Sequence, residues 1–179
     1  YRVDEFLLPG DTKPAKSRGV FCGGKGLNQS IACARAGLTT YHAAFLGAEG
    51  RFLSEKLAES GVKTDYVREV PQACGHAVIQ VNDHGQNCIL LYPGTNALLT
   101  EAFANEVLSR FSAGDVLLLQ NETNLVPELM HKAADRGLLV AFNAAPFTKE
   151  ALGYPIELVK WLFVNEIEGA ALSGEKEPR

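Results

Sequence analysis

The sequence lacks the features by which several classes of protein are recognised. Its longest apolar runs, such as VLLLQ at 116–120, are far shorter than the roughly 20 residues that a membrane helix needs. No secretory signal peptide is recognisable in the first residues. The net charge is −4 and no lysine- or arginine-rich run is present, which argues against a basic face for nucleic acid. These absences predict a protein that binds neither membranes nor nucleic acid.

Cysteine is scarce, and its spacing excludes the usual metal and redox motifs. The four cysteines form no C-x-x-C pair and have no histidine nearby at metal-ligand spacing. They are Cys22, Cys33, Cys74 and Cys88. We interpret them as reduced thiols that pack as small core side chains, and we expect a cytoplasmic protein.

The second half of the chain alternates apolar runs with amphipathic stretches. A length of 179 residues with 46% hydrophobic residues is enough for one domain with a good core. Buried strands are predicted at 116–120, 138–143 and 161–164. Helices are predicted at 125–137, 148–160 and 165–174, the second weakened by Gly153 and Pro155 and the third capped by Asn165. This alternation favours an α/β fold with a parallel sheet and right-handed crossovers.

The first half mixes helical and extended patterns. Helices are predicted at 28–37 and 51–61, each ended by a glycine. Residues 75–92 read as two strands joined by the turn NDHG, and residues 1–21 also look extended. Because an isolated hairpin is marginal in water, we expect these extended segments to pair as a small second sheet.

Polar residues follow each predicted strand of the second half. They are Gln120, Asn121 and Glu122, then Asn143, and then Asn165, Glu166 and Glu168. Ligands of open α/β sheets bind outside the carboxyl ends of the strands. A single such residue could equally be a helix cap, but three successive strand ends with polar residues favour a ligand cleft.

The stretch FCGGKGLNQS at 21–30 suggests a second part of a site. Its spacing fits neither a phosphate-binding P-loop nor a dinucleotide-binding G-x-G-x-x-G motif. Glycines allow the backbone to approach a ligand closely, and Asn28 at a helix start offers both a donor and an acceptor to hydroxyl groups. The residues therefore point to a small polar ligand.

Together these segments resemble the ribokinase-like (PfkB) sugar kinases. GGKGLNQS, followed at fixed spacing by Gly37 and Gly47, matches the first signature of that family. Four further segments are similar to family segments: YRVDEFLLPGDT, YPGTNALLT, LLLQNET and FVNEIEGAAL. The resemblance covers essentially the whole chain. It implies a ribokinase-like three-layer sandwich with a mostly parallel central sheet, and a β-sheet lid formed by residues 1–21 and 75–92.

The resemblance also implies roles for individual residues. The residues implied to bind the sugar are Asp4, Gly24, Lys25, Asn28 and Glu122. Asn165 is implied to lie near the nucleotide phosphates, and Glu168 is implied to act on Mg²⁺ through water. Each also has a simpler reading, in which Asp4 is a turn residue, Lys25 is merely solvated and Glu168 is a surface charge.

The implied activity is ATP-dependent phosphorylation of a small sugar, ribose-like or a related pentose or hexose, at a primary hydroxyl. ATP is the co-substrate, Mg²⁺ is required, a monovalent cation is a further candidate, and the lid is implied to pair two copies into a homodimer. Two alternatives remain open: a non-catalytic sugar-binding or regulatory protein on this fold, and a nucleoside kinase of the same family.

Two departures from the family pattern concern the ends of the chain. Most of the family's first strand is expected before Tyr1, and the nucleotide-binding part is expected after Arg179. No Asp here lies in the glycine-rich setting implied for the catalytic base, so that base is expected beyond Arg179. We therefore expect residues 1–179 to form a partial α/β domain that is inactive alone.

Overall fold

The computed structural model describes residues 1–175 of the chain. Within these residues seven strands are present: β1 Tyr41–Leu46, β2 Lys63–Glu69, β3 His76–Val81, β4 Asn87–Tyr92, β5 Val116–Gln120, β6 Leu139–Asn143 and β7 Val159–Phe163. The same residues contain five α-helices: α1 Lys25–Arg35, α2 Arg51–Glu59, α3 Glu101–Leu108, α4 Val126–Asp135 and α5 Glu166–Ser173. None of these helices combines the length and the apolar character needed to cross a membrane.

The strands form three sheets. Strands β5, β6 and β7 lie side by side in that order and are parallel, and β1 and β2 form a separate parallel pair. Strands β3 and β4 form an antiparallel hairpin. The α/β class with parallel strands is therefore confirmed, although within residues 1–175 the parallel strands lie in two sheets rather than one.

The main core lies between the three-stranded sheet and helices α3 and α4. Met130 and Ala133 of α4 are completely buried, and so is Phe142 of β6. The apolar run of β6 is accordingly covered on both faces, as predicted. Strand β7 differs, because Trp161, Leu162 and Phe163 are exposed. The prediction of a buried third strand is thus wrong for residues 1–175.

The helix predicted at 148–160 is wrong. The structure has two short 3-10 segments there, Lys149–Gly153 and Ile156–Leu158, and β7 begins at Val159. Gly153 favours non-helical backbone, and Pro155 has no N–H to donate to a helix, so the segment breaks in the middle. The third predicted strand begins two residues earlier than expected as a result.

Helix α1 begins at Lys25, earlier than the predicted start at residue 28. Gly24 is its N-cap, with φ 97° and ψ 143°, a conformation that side chains disfavour. The glycine stretch is therefore a tight turn that leads directly into the helix. Lys25 and Asn28 lie in the first turn of α1 as a consequence.

The hairpin of β3 and β4 is joined by the N-terminal residues of the chain. The backbone nitrogen of Tyr1 lies 2.8 Å from the carbonyl oxygen of Ile79, and the backbone N–H of Val3 donates to the carbonyl of Val81 at 3.0 Å. Residues 1–21 otherwise contribute only isolated bridges at Arg2 and Ser17. The lid of the described structure is thus a hairpin with a short extended segment beside it.

Two glycines connect this lid to the α/β body. Gly75 precedes β3 and Gly94 follows β4, and a Cβ built on Gly94 would lie 2.5 Å from the backbone nitrogen of Gly75. Any side chain at Gly94 would collide with backbone, which cannot yield as the end of a flexible side chain can. The two strands of the lid therefore leave the body through one narrow, closely packed neck.

Candidate functional site

The turn that starts α1 leaves open space beside its backbone. A Cβ built on Gly23 or on Gly24 would meet nothing within 4 Å. The glycines are therefore not required there by crowding within the described residues, although the positive φ of Gly24 disfavours a side chain. The free space is available to a ligand that approaches the first turn of the helix.

Lys25, directly after this turn, forms an ion pair with Glu122. The Lys25 ammonium donates to Oε1 of Glu122 at 2.6 Å, and the Lys25 backbone N–H donates to Oε2 at 3.2 Å. The two residues are 97 positions apart in sequence. Their side chains are 38% and 26% exposed, so solvent and ligands can reach both. The structure thus joins two of the segments that the sequence predicted to bind sugar.

Asn28 lies one helical turn after Gly24 and is exposed. Its backbone N–H donates to the carbonyl of Gly24 at 3.1 Å, which closes the first turn of α1. Its side-chain amide makes no hydrogen bond within residues 1–175 and can therefore serve a ligand. The predicted role of Asn28 remains a prediction, with an accessible amide at the glycine turn.

A layer of polar side chains lies beneath the turn. The Gln120 amide, at the end of β5, donates to Oε1 of Gln29 in α1. Oγ of Ser30 and Nδ1 of His42 are 2.8 Å apart, which links α1 to β1. A Cβ built on Gly26 would lie 3.0 Å from Oε1 of Gln120, so only glycine lets the helix approach this layer without displacement.

His42 stands out in this layer because burial lowers its pKa to about 4. The imidazole is therefore neutral at physiological pH. His42 and Ser30 were not among the residues predicted to be functional, and the available signal was one histidine among the apolar residues of YHAAFL.

Asp4 is placed differently from the other predicted sugar residues. Its carboxylate is 76% exposed and pairs with the Lys16 ammonium at 2.5 Å. The same ammonium pairs with Asp83, in the turn of the lid hairpin, at 2.7 Å. No hydrogen bond or ion pair within residues 1–175 joins Asp4 to Lys25 or Glu122. The structure therefore shows Asp4 as part of a lid contact, and its sugar-binding role remains a prediction.

Asn165 and Glu168 start helix α5 and bond to each other. The Asn165 side chain accepts from the backbone N–H of Glu168 at 2.8 Å, and Glu168 Oε2 accepts from the backbone N–H of Asn165 at 3.0 Å. This reciprocal arrangement is a capping box. Both residues line a pocket of about 310 Å³ at the carboxyl ends of β6 and β7, shared with Asn143. The cap predicted at Asn165 is confirmed, and the two predicted phosphate-side residues lie together.

Glu168 is suited to bind a metal ion that keeps most of its water ligands, and not one held only by protein side chains. Residues 1–175 contain no group of three or more His, Cys, Asp or Glu side chains that could hold a metal ion. Glu168 is buried and uses Oε2 in the cap, while Oε1 makes no hydrogen bond to the described residues. Mg²⁺ commonly keeps several waters and takes one or two carboxylates together with substrate phosphates. One carboxylate at this pocket is compatible with that pattern.

Asn121 and Asn143 have structural partners at the same sheet edge. The Asn121 amide donates to the carbonyl of Pro146 at 2.8 Å, and the Tyr154 hydroxyl donates to Oδ1 of Asn121 at 2.8 Å. The Asn143 side chain accepts from the backbone N–H of Ala145 at 3.0 Å. These contacts hold the loop after β6 against the end of β5. The two asparagines therefore shape the edge on which the candidate site lies.

The chain is similar over its whole length to known proteins. The family model described as pfkB family carbohydrate kinase matches residues 1–179. The chain belongs to the pfkB carbohydrate kinase family. This pfkB chain is 31% identical over 180 residues to a ribokinase of Haemophilus influenzae, covering 96% of the chain and 58% of that relative.

Solved structures give the same fold. A ribokinase of Cryptococcus neoformans in complex with ADP superposes with a TM-score of 0.81 and 31% identity, covering 97% of this chain and 57% of that chain. An Arabidopsis thaliana ribokinase complexed with ribose and ATP superposes with a TM-score of 0.78 and 28% identity, covering 97% and 58%. The ribokinase-like fold is thus confirmed, and the pfkB chain spans less than two thirds of the length of each of these relatives.

Proposed function

We propose that the whole protein to which this pfkB chain belongs transfers phosphate from ATP to a primary hydroxyl of a small sugar, ribose or a related pentose or hexose. The Lys25–Glu122 pair carries the proposal, because it brings the glycine turn and the end of β5 to one accessible place. The three relatives described above, which are 28–31% identical to this chain, are all named ribokinase, and one of them was solved with ribose and ATP.

The chemistry of this place suits sugar hydroxyls. A hydroxyl group both donates and accepts, so it can donate to the Glu122 carboxylate and accept from the Lys25 ammonium. Hydrogen bonds to charged groups are stronger than neutral ones and shorter. The accessible Asn28 amide adds a donor and an acceptor one turn along the helix. A polyhydroxylated ligand can satisfy all three side chains at once.

The nucleotide is proposed to bind on the side of Asn165 and Glu168. The pocket of about 310 Å³ at this edge is lined by both residues and opens at the carboxyl ends of β6 and β7. Mg²⁺, when bound to the nucleotide, would neutralise phosphate charge, and Glu168 would hold one of its waters. Asn165 would orient the start of α5 toward the phosphates. A monovalent cation remains a further candidate for the whole protein.

Within residues 1–179 we assign no catalytic base. Phosphoryl transfer needs a base or orienting group within hydrogen-bond reach of the attacking hydroxyl, about 2.6–3.2 Å. The chain's described residues supply the sugar side and one acid on the metal side. We propose that the base Asp lies beyond Arg179 in the whole protein, as the resemblance implies.

The test is an acceptor screen with the purified whole protein. ATP and Mg²⁺ are supplied with single acceptors, including D-ribose, other pentoses, hexoses and nucleosides, and ADP release is measured with a coupled assay. The proposal predicts the largest kcat/KM with a pentose or hexose. A preference for nucleosides would establish a nucleoside kinase, and sugar binding without ADP release would establish a non-catalytic sugar-binding protein; either result overturns the proposal.

The lid hairpin is proposed to cover the sugar with one face and to pair two copies with the other. Both faces carry exposed apolar side chains: Ile79, Ile89 and Leu91 share one face in the strand register, and Leu90 and Tyr92 share the other. Exposed apolar patches of this kind mark interaction surfaces. Leu90→Lys and Leu91→Lys place a charge on opposite faces of the hairpin. We therefore expect one variant to be monomeric by light scattering and the other to have a raised KM for the sugar. A monomeric whole protein, or two variants that both remain dimers, would contradict the pairing.

A further inference from the structure

One polar contact beneath the glycine turn has no part in the proposed chemistry. Ser30, in α1, and His42, in β1, face each other with Oγ and Nδ1 2.8 Å apart. Neither side chain is fully exposed, and burial holds His42 in its neutral form. The contact lies one turn beyond Lys25 on the same helix, on the side that faces the sheet.

The contact joins two elements that otherwise meet through small side chains. Gly26 of α1 faces both the ring of His42, at 3.6 Å from Cε1, and Oε1 of Gln120, at 3.0 Å. The larger apolar residues of α1, Leu27 and Ile31, pack in a cluster with Leu57 of α2 and Val62, whereas Gly26 is the residue of α1 that lies against His42 of β1. Apolar contacts between small side chains are non-directional and permit small sliding and rotation. A hydrogen bond between helix and strand fixes one position.

Burying a histidine costs free energy that an apolar residue at the same place would not cost. A buried polar pair with satisfied hydrogen bonds favours one arrangement of the elements that carry it. The Ser30–His42 hydrogen bond thereby fixes the first turn of α1 relative to β1. Lys25 is the first residue of that turn, and its ammonium must reach Glu122 and the ligand.

We propose that Ser30 and His42 position the first turn of α1, and through it Lys25, for sugar binding. The proposal rests on the proposed function for its kinetic consequence. Neither residue is placed in contact with the sugar, so both act as positioning residues. The Gln29–Gln120 hydrogen bond is a second tether of the same turn, to β5 instead of β1.

The kinetic test uses the whole protein with D-ribose and ATP. His42→Phe and Ser30→Ala are each expected to raise the KM for D-ribose about three- to tenfold, as loss of one hydrogen bond allows. The kcat and the KM for ATP are expected to stay within about twofold. His42→Asn keeps a nitrogen or oxygen at the position of Nδ1 and is expected to restore the wild-type KM. His131→Asn, on the exposed face of α4, is the control for loss of a histidine.

Hydrogen exchange provides a readout that does not depend on activity. In His42→Phe, amides of residues 28–30, which are the first in α1 with helical hydrogen bonds, are expected to exchange about fivefold faster or more, while those of α4 keep their rates. Unchanged exchange at residues 28–30 would overturn the positioning role even if the enzyme proves to be a sugar kinase. Equal increases in the KM values for D-ribose and ATP would also overturn it. A wild-type protein that phosphorylates no sugar would refute the proposed function, and the exchange data would still decide the positioning role.

Discussion

Replacing Glu122 by glutamine is the sharpest perturbation of the candidate site. The glutamate accepts from Lys25 at two places, through Oε1 at 2.6 Å and through Oε2 at 3.2 Å. A glutamine side chain has one oxygen and one NH₂ group, so one of the two Lys25 donors would face another donor. The change removes the negative charge and leaves the volume of the side chain nearly the same.

Two magnitudes separate a binding role from a merely structural one. With side chains 38% and 26% exposed, the ion pair is screened by solvent, and its contribution to the free energy of unfolding is at most about 1 kcal/mol. A hydrogen bond between a carboxylate and an enclosed sugar hydroxyl contributes about 1.5–3 kcal/mol. Loss of that bond corresponds to a roughly 10- to 150-fold decrease in kcat/KM for the sugar. We therefore expect a large effect on sugar use and a small effect on stability.

The assay compares kcat/KM for D-ribose, the KM for ATP and chemical unfolding in the whole protein. Glu69→Gln is the matched control, because Glu69 pairs with Arg51 at 3.3 Å and makes no hydrogen bond or ion pair to Lys25 or Glu122 within residues 1–175. Glu122→Gln is expected to lower the sugar kcat/KM at least tenfold, with the KM for ATP unchanged. A variant that keeps its sugar kinetics within twofold but loses several kcal/mol of stability would refute the reasoning.

Three further predictions concern His42, Glu168 and the two implied sugar-binding residues Asn28 and Asp4. Below pH 6.5, the ordinary histidine pKa, the unfolded chain protonates His42, whereas the folded chain, in which the His42 pKa is about 4, does not. The free energy of unfolding should therefore fall by up to about 3 kcal/mol between pH 6.5 and pH 4. Denaturant titrations should find a smaller decrease in His42→Phe. Glu168→Gln should raise the Mg²⁺ concentration needed for half-maximal rate while Glu166→Gln does not, and identical Mg²⁺ titrations would leave Glu168 a helix cap only. Asn28→Ala and Asp4→Ala should each lower kcat/KM for the sugar about tenfold without changing the KM for ATP. If Asp4→Ala keeps kcat/KM for the sugar within twofold of the wild type, the role of Asp4 is only its ion pair with Lys16.

The sequence predicts best where one local rule decides the structure. The apolar run at 116–120 predicts a strand, and it forms β5 as expected, although Val116 is exposed and Leu119 alone of the five residues is fully buried. Asn165 followed three residues later by Glu168 is the pattern of a capping box, and both hydrogen bonds are present. Gly24 and Lys25 were identified through their motif, and the structure adds the partner, Glu122.

The sequence predicts least where contacts between distant segments decide. Strands β1 and β2 were not predicted, since their alternation of exposed and partly buried residues is short and interrupted by polar residues. The Ser30–His42 contact depends on how α1 crosses β1, which no local pattern encodes. The exposure of β7 depends on which strands lie beside it, not on the apolar character of Trp161, Leu162 and Phe163.

The central claim is that the glycine turn and the end of β5 form the sugar site. A crystal structure of the whole protein with D-ribose tests this claim most directly. We expect ribose hydroxyl groups at about 2.6–3.2 Å from the Lys25 ammonium and the Glu122 carboxylate, with the Asn28 amide also in contact. Ribose bound elsewhere, with the Lys25–Glu122 pair unchanged and free of ligand, would contradict the account.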